Sequence, residues 1–307
     1  MQTNHKRKLS SLAYPLFFLL LFFFCVFHME ELSHGVTEGL SLSFRTVIPT
    51  VFPFLIFTDL LLSFPLTSHL FALLSRPIST LFRLSPESGS AFLIGNLFGF
   101  PMGAKAVAHY YKSGAIAKEE AERLLLFTGN ASPFFLIGSV GVGMLGSRSA
   151  GIRLYLIQLS VSFFCALFTS IGKKKAKVAP AFSPKEPPRD ASLPATIRAA
   201  VRSSLFICGY IVFFSAIASV LLPSIKSVFL SCILTALLEI GNGSFYAAQA
   251  GGGLALSFSA FAASFAGLSV YLQTLDAISD TDLRTTYYLP VKLLCGGAAF
   301  FFALLLK

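Results

Sequence analysis

Long apolar runs constrain the fold of this chain more than any other feature of its sequence. A helix needs about 20 apolar residues to cross the hydrocarbon core of a bilayer. Four separate runs meet that length, at residues 9–27, 153–171, 203–222 and 286–306. Only 12% of the 307 residues are charged, whereas a soluble fold carries about twice that share. The sequence therefore predicts an all-α polytopic membrane protein.

The net charge of +10 would suggest nucleic acid as a partner in a soluble domain. Here the charged residues lie mostly at the ends of apolar runs, where they set topology and contact lipid headgroups. No basic stripe with interleaved exposed aromatic residues occurs. The lipid bilayer is thus a predicted partner, and nucleic acid is not.

The sequence carries no signature of an enzyme. Its histidines are scattered, and it has no paired-histidine metal motif, no nucleophile elbow and no Walker loop. Its five cysteines all lie inside apolar runs and form no CxxC pair, which is typical of small apolar helix residues. We therefore predict no catalytic residue, no metal site and no cofactor.

Basic residues at two places predict the orientation of the chain. Lys6, Arg7 and Lys8 precede a first run without a small-residue cleavage site, so an uncleaved helix with a cytoplasmic N-terminus is expected. Residues 172–194 are rich in lysine and proline, which indicates a cytoplasmic linker between two halves. If every apolar segment between them crossed the bilayer, the linker would lie outside. Residues 90–111, which are rich in glycine, are therefore predicted to be re-entrant.

The two halves echo each other loosely. Each opens with a helix that begins near an arginine, Arg45 or Arg202, and each later has a glycine-broken apolar segment, at 99–105 or 267–273. Interrupted segments in halves of opposite orientation are typical of inverted-repeat transporters, and they mark the substrate site.

Lys105 is the most informative polar residue, because a charge at membrane depth costs at least ~2.5–3.5 kcal/mol. The break at Gly99, Pro101 and Gly103 exposes backbone N–H groups and begins a new half-helix, whose N-terminus favours an anion. Lys105 would add a full positive charge for a carboxylate, or its long stem could reach the interface instead. Asn96 could bind substrate or satisfy carbonyl groups freed by the break.

Two further regions hold polar residues within apolar sequence. Asn130 and Ser132 precede Pro133, which frees a backbone carbonyl one turn earlier, so they could satisfy it or contact a ligand. Glu239 ends an apolar helix and could bind a coupling ion, pair with Lys105 or lie at the interface. Gln273 is a neutral group that could recognise a ligand.

Three stretches of the sequence resemble the YlbJ family of sporulation integral membrane proteins. They are residues 95–105, 114–125 and 130–141, and the segments 238–243 and 267–273 of the second half are also similar. The resemblance runs from about residue 39 onward. It implies the nucleoside-recognition or Gate domain, which is shared with concentrative nucleoside transporters and with the membrane part of bacterial ferrous-iron transporters. The family is associated with moving dipicolinic acid into the developing spore.

The chain departs from the family pattern at several polar positions. It has Phe98 for a serine, Thr128-Gly129 for Cys-Asn, Gly241 for a threonine and Tyr271-Leu272 for His-Ala. These departures leave a different substrate open.

Together these features predict about eight or nine membrane segments, some re-entrant or broken. The predicted parts are an N-terminal helix and loop (1–38), a first Gate-like half (39–171), the linker (172–194) and a second Gate-like half (195–307), forming an inverted repeat. We expect a multi-pass protein of the cell membrane, or more finely of a forespore membrane, with a homo-oligomer left open. The predicted substrate-binding residues are Asn96, Gly99, Pro101, Gly103, Lys105, Asn130, Ser132, Glu239, Asn242, Ser269 and Gln273.

The expected function is transport of a small anionic, dipicolinate-like metabolite in spore formation, with a coupling ion as a further partner. Two alternatives remain: a nucleoside or metal-ion transporter of the same fold, and a non-transporting membrane scaffold for spore envelope assembly.

Overall fold

The computed structural model describes residues 15–16, 18–173 and 192–306 of the chain. Within these residues the secondary structure is helical and no strand occurs. The start of the first apolar run and most of the predicted linker 172–194 lie outside the described residues.

The described residues before the linker form eight helices and two π-helical segments. They are α1 (Phe18–Phe27), α2 (Met29–Leu42), π-helical Ser43–Val47, α3 (Ile48–Ser63), α4 (Pro65–Leu81), α5 (Pro86–Phe98), α6 (Met102–Lys112), α7 (Lys118–Thr128), π-helical Phe135–Met144 and α8 (Arg148–Ser170). The second half contains α9 (Leu193–Leu221), α10 (Val228–Leu238), α11 (Ile240–Ala250), α12 (Ala255–Phe265), α13 (Gly267–Ala277) and α14 (Tyr288–Leu305).

Five helical stretches of the described chain are long and apolar enough to cross a membrane. They are Met29–Phe57, Arg148–Ser170, Leu193–Ser224, Gly252–Ala277 and Tyr288–Leu305. Three of them confirm the predicted runs at 153–171, 203–222 and 286–306. The prediction of an all-α polytopic protein is confirmed.

Residues 29–42 form helix α2, although a loop was predicted before residue 39. The helix packs closely on α9, because a Cβ atom at Gly39 would lie 2.8 Å from the Cα atom of Val212. The hydroxyl of Ser219 also donates a hydrogen bond of 2.6 Å to the carbonyl of Glu31. Small residues that let two backbones approach are a common basis of membrane helix association. This partner lies far along the chain, so the local sequence did not reveal the helix.

Each half contains one helical hairpin. Helix α6 folds back on α5, since a Cβ atom at Gly103 would lie 2.9 Å from the Cα atom of Gly95. Helix α11 folds back on α10, since a Cβ atom at Gly243 would lie 2.8 Å from the Cβ atom of Ala236. The segment predicted to be re-entrant, 90–111, is thus a hairpin, and its re-entry into the bilayer stays a prediction.

An interrupted helix and then a long span follow each hairpin. Helix α7 is broken before Phe135–Met144 and precedes α8, and α12 is broken before α13 and precedes α14. By this order of elements, the break at Gly99 in the first half corresponds to the break at Glu239 in the second. The sequence similarity between the halves had instead paired residues 99–105 with 267–273. The halves therefore share one order of elements, and their opposite orientation stays a prediction.

Two ion pairs tie the loop after α13 to the first half. Lys112 Nζ lies 2.5 Å from Asp280 Oδ2, and Lys118 Nζ lies 2.6 Å from Asp282 Oδ2. The hydroxyl of Tyr111 also donates a hydrogen bond of 2.6 Å to Asp282 Oδ1. The hydrogen bond from Lys112 lowers the pKa of Asp280, and that from Lys118 lowers the pKa of Asp282.

The stability of this connection should depend on pH only in the acidic range. Because the folded-state pKa values of Asp280 and Asp282 are lowered, their contribution is present above the ordinary aspartate pKa of about 3.9 and is lost as pH falls through the lower folded values. Both acids are exposed, so the effect is small. Pepsin, which is active in acid, should cleave the loop faster as pH falls, and this rise should be less steep in an Asp280→Asn/Asp282→Asn double variant. The Asp276→Asn control should behave like the wild type, and an unchanged profile in the double variant would contradict the prediction.

Candidate substrate site at the helix breaks

The tip of the first hairpin packs against the break of α7. Gly99 has φ 78°, a conformation that favours glycine, and a Cβ atom there would lie 2.7 Å from the Ser132 nitrogen. The backbone N–H of Phe100 donates to the carbonyl of Asn130 at 2.9 Å. The Phe100–Pro101 peptide bond is cis, and α6 begins directly after Pro101. Gly99 and Phe100 thus bring the hairpin tip into direct contact with the break that follows α7.

The two predicted asparagines bond to each other and to the backbone. The side-chain nitrogen of Asn130 lies 3.0 Å from Asn96 Oδ1, 2.8 Å from the carbonyl of Phe127 and 3.0 Å from Ser162 Oγ. Asn96 in turn donates to the carbonyl of Phe92 at 2.9 Å. Asn130 thus satisfies the carbonyl of Phe127, which is freed where α7 ends, whereas the Phe92 carbonyl that Asn96 contacts lies inside α5. Contact of either amide with a substrate stays a prediction.

Gln158 of α8 holds the backbone of the α7 break and was not predicted. Its Oε1 accepts from the N–H of Ala131 at 3.0 Å, and its Nε2 donates to the carbonyl of Ala131 at 2.9 Å. Gln158 is 1% exposed, so water cannot replace these bonds. The sequence signal was an amide within the apolar run 153–171, but its partner lies on another helix.

Lys292 of α14 is a second functional candidate that sequence reasoning missed. Its ammonium group donates to the carbonyl of Gly129 at 2.6 Å and to Asn130 Oδ1 at 3.2 Å. The side chain is 1% exposed. A lysine within the apolar run 286–306 was visible in the sequence, and the argument applied to Lys105 applies equally to it.

The break between α10 and α11 is centred on Glu239, as predicted for the end of an apolar helix. Its backbone is extended, and its Oε2 accepts from the N–H of Asn242 at 2.7 Å, which caps α11. Gly267, at the break before α13, packs on this residue, since a Cβ atom there would lie 2.9 Å from the Cα atom of Glu239. In each half, therefore, the hairpin tip contacts the break of the next interrupted helix.

Asn242 and Ser269 are both buried, but their contacts differ. Asn242 accepts from Ser215 Oγ at 2.7 Å and donates to the carbonyl of Ile211 at 3.3 Å. These bonds fix α11 to α9. The hydroxyl of Ser269 is buried with no hydrogen-bond partner among the described residues. Several other buried serine hydroxyls share this state, and contact between Ser269 and a ligand stays a prediction.

Residues from both halves enclose one small cavity. Three of the predicted residues line it: Ser132 from the first half and Glu239 and Gln273 from the second. Tyr210 adds a further polar group, and apolar side chains such as Phe98 and Phe100 form much of the remaining wall. The volume is about 40 Å³, which is close to the space of one water molecule. A cavity of this size leaves no room for an organic ligand.

The remaining predicted residues lie around this cavity or outside it. Gly99, Pro101 and Gly103 shape the break, and Gly103 packs against the carbonyl of Thr128. Lys105 lies one turn into α6 with an exposed side chain and is not part of the cavity wall. The structure therefore does not place Lys105 with the other predicted residues. Within the described residues, no three histidine, cysteine, aspartate or glutamate side chains form a metal-ligand cluster.

Five apolar spans and interrupted helices that meet inside the protein define a polytopic integral membrane protein. The chain is 28% identical to the sporulation integral membrane protein YlbJ of Bacillus subtilis (strain 168), over 97% of this chain and 83% of that protein. This similarity supports membership in the YlbJ family and confirms the resemblance seen in the motifs. It indicates a sporulation-related integral membrane protein. No family model and no solved structure matches the chain.

Proposed function

We propose that the protein is a Gate-domain membrane transporter of a small anionic, dipicolinate-like metabolite in spore formation. The observation that carries the proposal is the cavity lined by Ser132, Glu239 and Gln273. It lies where the helix breaks of both halves come together. Interrupted helices are tolerated inside a membrane where they line a cavity, and transporters bind substrate at such repeat interfaces.

The small cavity volume fits an alternating-access cycle. Ligand pockets generally measure about 300–1,000 Å³, so a cavity of about 40 Å³ does not hold an aromatic dicarboxylate. Since its wall comes from both halves, a displacement of one half against the other enlarges it toward one side of the membrane. In this proposal the small cavity belongs to the occluded intermediate between two open forms.

Several groups in and beside the cavity suit an anion. Helices α6, α11 and α13 begin at the breaks, and helix N-termini carry partial positive charge. Gln273 and Ser132 supply neutral hydrogen-bond donors. Glu239 is the coupling acid of the proposal: it binds a proton or a sodium ion, so that its own charge does not repel the substrate.

One observation favours the alternative, transport of a nucleoside or metal ion. Among the described residues of the cavity wall, Glu239 carries the ionisable carboxyl group, and Lys105 is absent from that wall. A carboxylate suits a cation or the hydroxyl groups of a ribose. This alternative predicts that Glu239 is required and that Lys105 is replaceable.

The test is binding and uptake by the purified protein. Thermal unfolding in detergent is measured with dipicolinate, other small dicarboxylates, nucleosides and divalent metals, where a ligand at a hundred times its Kd adds about 2.7 kcal/mol of stability. We expect dipicolinate to raise the midpoint and to enter protein-containing liposomes. Both effects should be lost in Gln273→Leu and kept in the matched control Gln249→Leu, whose side chain is exposed on α11.

Other outcomes decide between the alternatives. A shift with nucleosides or metals alone, lost in Glu239→Gln, would replace the anion by those substrates. No shift and no uptake with any compound would contradict transport and favour the scaffold.

A further inference from the structure

Lys292 is a buried lysine whose hydrogen-bond partners are two neutral oxygen atoms. It lies in the span Tyr288–Leu305, and its ammonium group contacts the carbonyl of Gly129 and the side-chain oxygen of Asn130. None of the described carboxylates forms an ion pair with it. The other ionisable groups that interact with it are the thiols of Cys165 on α8 and Cys295 on α14. A buried charge is unfavourable unless nearby groups compensate it. In this protein the compensating groups must be the two oxygen atoms that contact Lys292.

These oxygens form a site that is shaped by the break of α7. The last carbonyl groups of a helix carry partial negative charge, and Gly129 directly follows α7. Asn130 is held by hydrogen bonds from its nitrogen to Asn96, Phe127 and Ser162, which turn its oxygen toward Lys292. Both oxygens are therefore fixed by the fold.

Helix C-termini and unwound carbonyl groups are the ligands that bind sodium ions in transporters with interrupted helices. A lysine ammonium group is likewise a compact monovalent cation that binds oxygen atoms. We propose that the backbone carbonyl oxygen of Gly129 and the side-chain oxygen of Asn130 form a monovalent-cation site, which the Lys292 ammonium group fills in place of a sodium ion. The protein thereby carries its own cation at this break.

The proposal has two consequences that are independent of transport. The folded protein needs no sodium at this site, because the lysine occupies it permanently. Removing the side chain leaves two fixed oxygens and an empty space, which a small cation from solution can enter. Stability in different salts therefore tests the proposal without a transport assay.

The experiment compares Lys292→Ala with Lys292→Met, whose side chain fills the space but carries no charge. Thermal midpoints are measured in detergent with NaCl or choline chloride at equal ionic strength. The wild type should unfold at the same temperature in both salts. Lys292→Ala should unfold more than about 5 °C lower in choline chloride, and NaCl should raise its midpoint with a saturable dependence on concentration. Lys292→Met should be destabilised equally in both salts.

Three results would overturn the proposal. One is a Lys292→Ala variant as stable as the wild type in choline chloride, and another is equal recovery in the two salts. The third is failure of both Lys292→Ala and Lys292→Ser to yield folded protein in NaCl. Serine leaves almost the same space as alanine, and its hydroxyl adds one more oxygen that sodium can bind, so this variant should also fold in NaCl.

Discussion

Replacing Gly103 with alanine is expected to lower the free energy of unfolding by about 1–3 kcal/mol or more. A Cβ atom at this position would lie 2.9 Å from the Cα atom of Gly95 and 3.0 Å from the carbonyl carbon of Thr128. These are backbone atoms, so no side chain can rotate away to make space. Either the hairpin α5–α6 opens or the break of α7 moves. Unfolding in mixed micelles of detergent and denaturing surfactant measures the change.

The matched control is Gly209→Ala on α9. A Cβ atom at Gly209 would meet no atom within 4 Å, and alanine is the better helix former by about 0.8–1.0 kcal/mol. This control should therefore be neutral or slightly stabilising. Equal destabilisation by the two substitutions would mean that the close contact between the hairpin and α7 does not exist.

Gln158→Leu is expected to have a comparably large effect. The substitution keeps most of the side-chain volume but removes both hydrogen bonds to Ala131. It leaves a buried N–H and a buried carbonyl without partners, each at a cost of about 1–3 kcal/mol. The same unfolding measurement applies, and hydrogen exchange of the Ala131 amide should accelerate.

Ser160→Ala on the same helix serves as its control. Ser160 donates only to the carbonyl of Leu156 within α8, so its loss should change stability by less than about 0.5 kcal/mol. A Gln158→Leu variant that unfolds like this control would rule out a structural role for the glutamine.

Local sequence predicted which segments form long apolar helices and where helices are interrupted. Glycine and proline at 99–103 and Pro133 marked the breaks in the first half, because these residues disturb helices wherever they stand. Glu239 was correctly placed at a helix end for a similar local reason. The three confirmed spans followed from apolar length alone.

The contacts between helices could not be predicted in the same way. Lys105 and Lys292 each lie within largely apolar sequence, yet Lys105 is exposed and Lys292 is buried. The difference depends on how each helix is rotated against its neighbours, which one sequence does not give. Gln158 was missed for the same reason, because its partner Ala131 lies in the break of another helix.

The contact of Gly95 and Gly103 with the Thr128 carbonyl also affects how movements of the hairpin and of α7 are coupled. Because backbone packs directly on backbone, with no flexible side chain between, the two segments can move little relative to each other. We therefore expect hairpin α5–α6 and the end of α7 to move together as one rigid body. A displacement of α6 would then be transmitted to Ser132 in the cavity wall with little loss of amplitude.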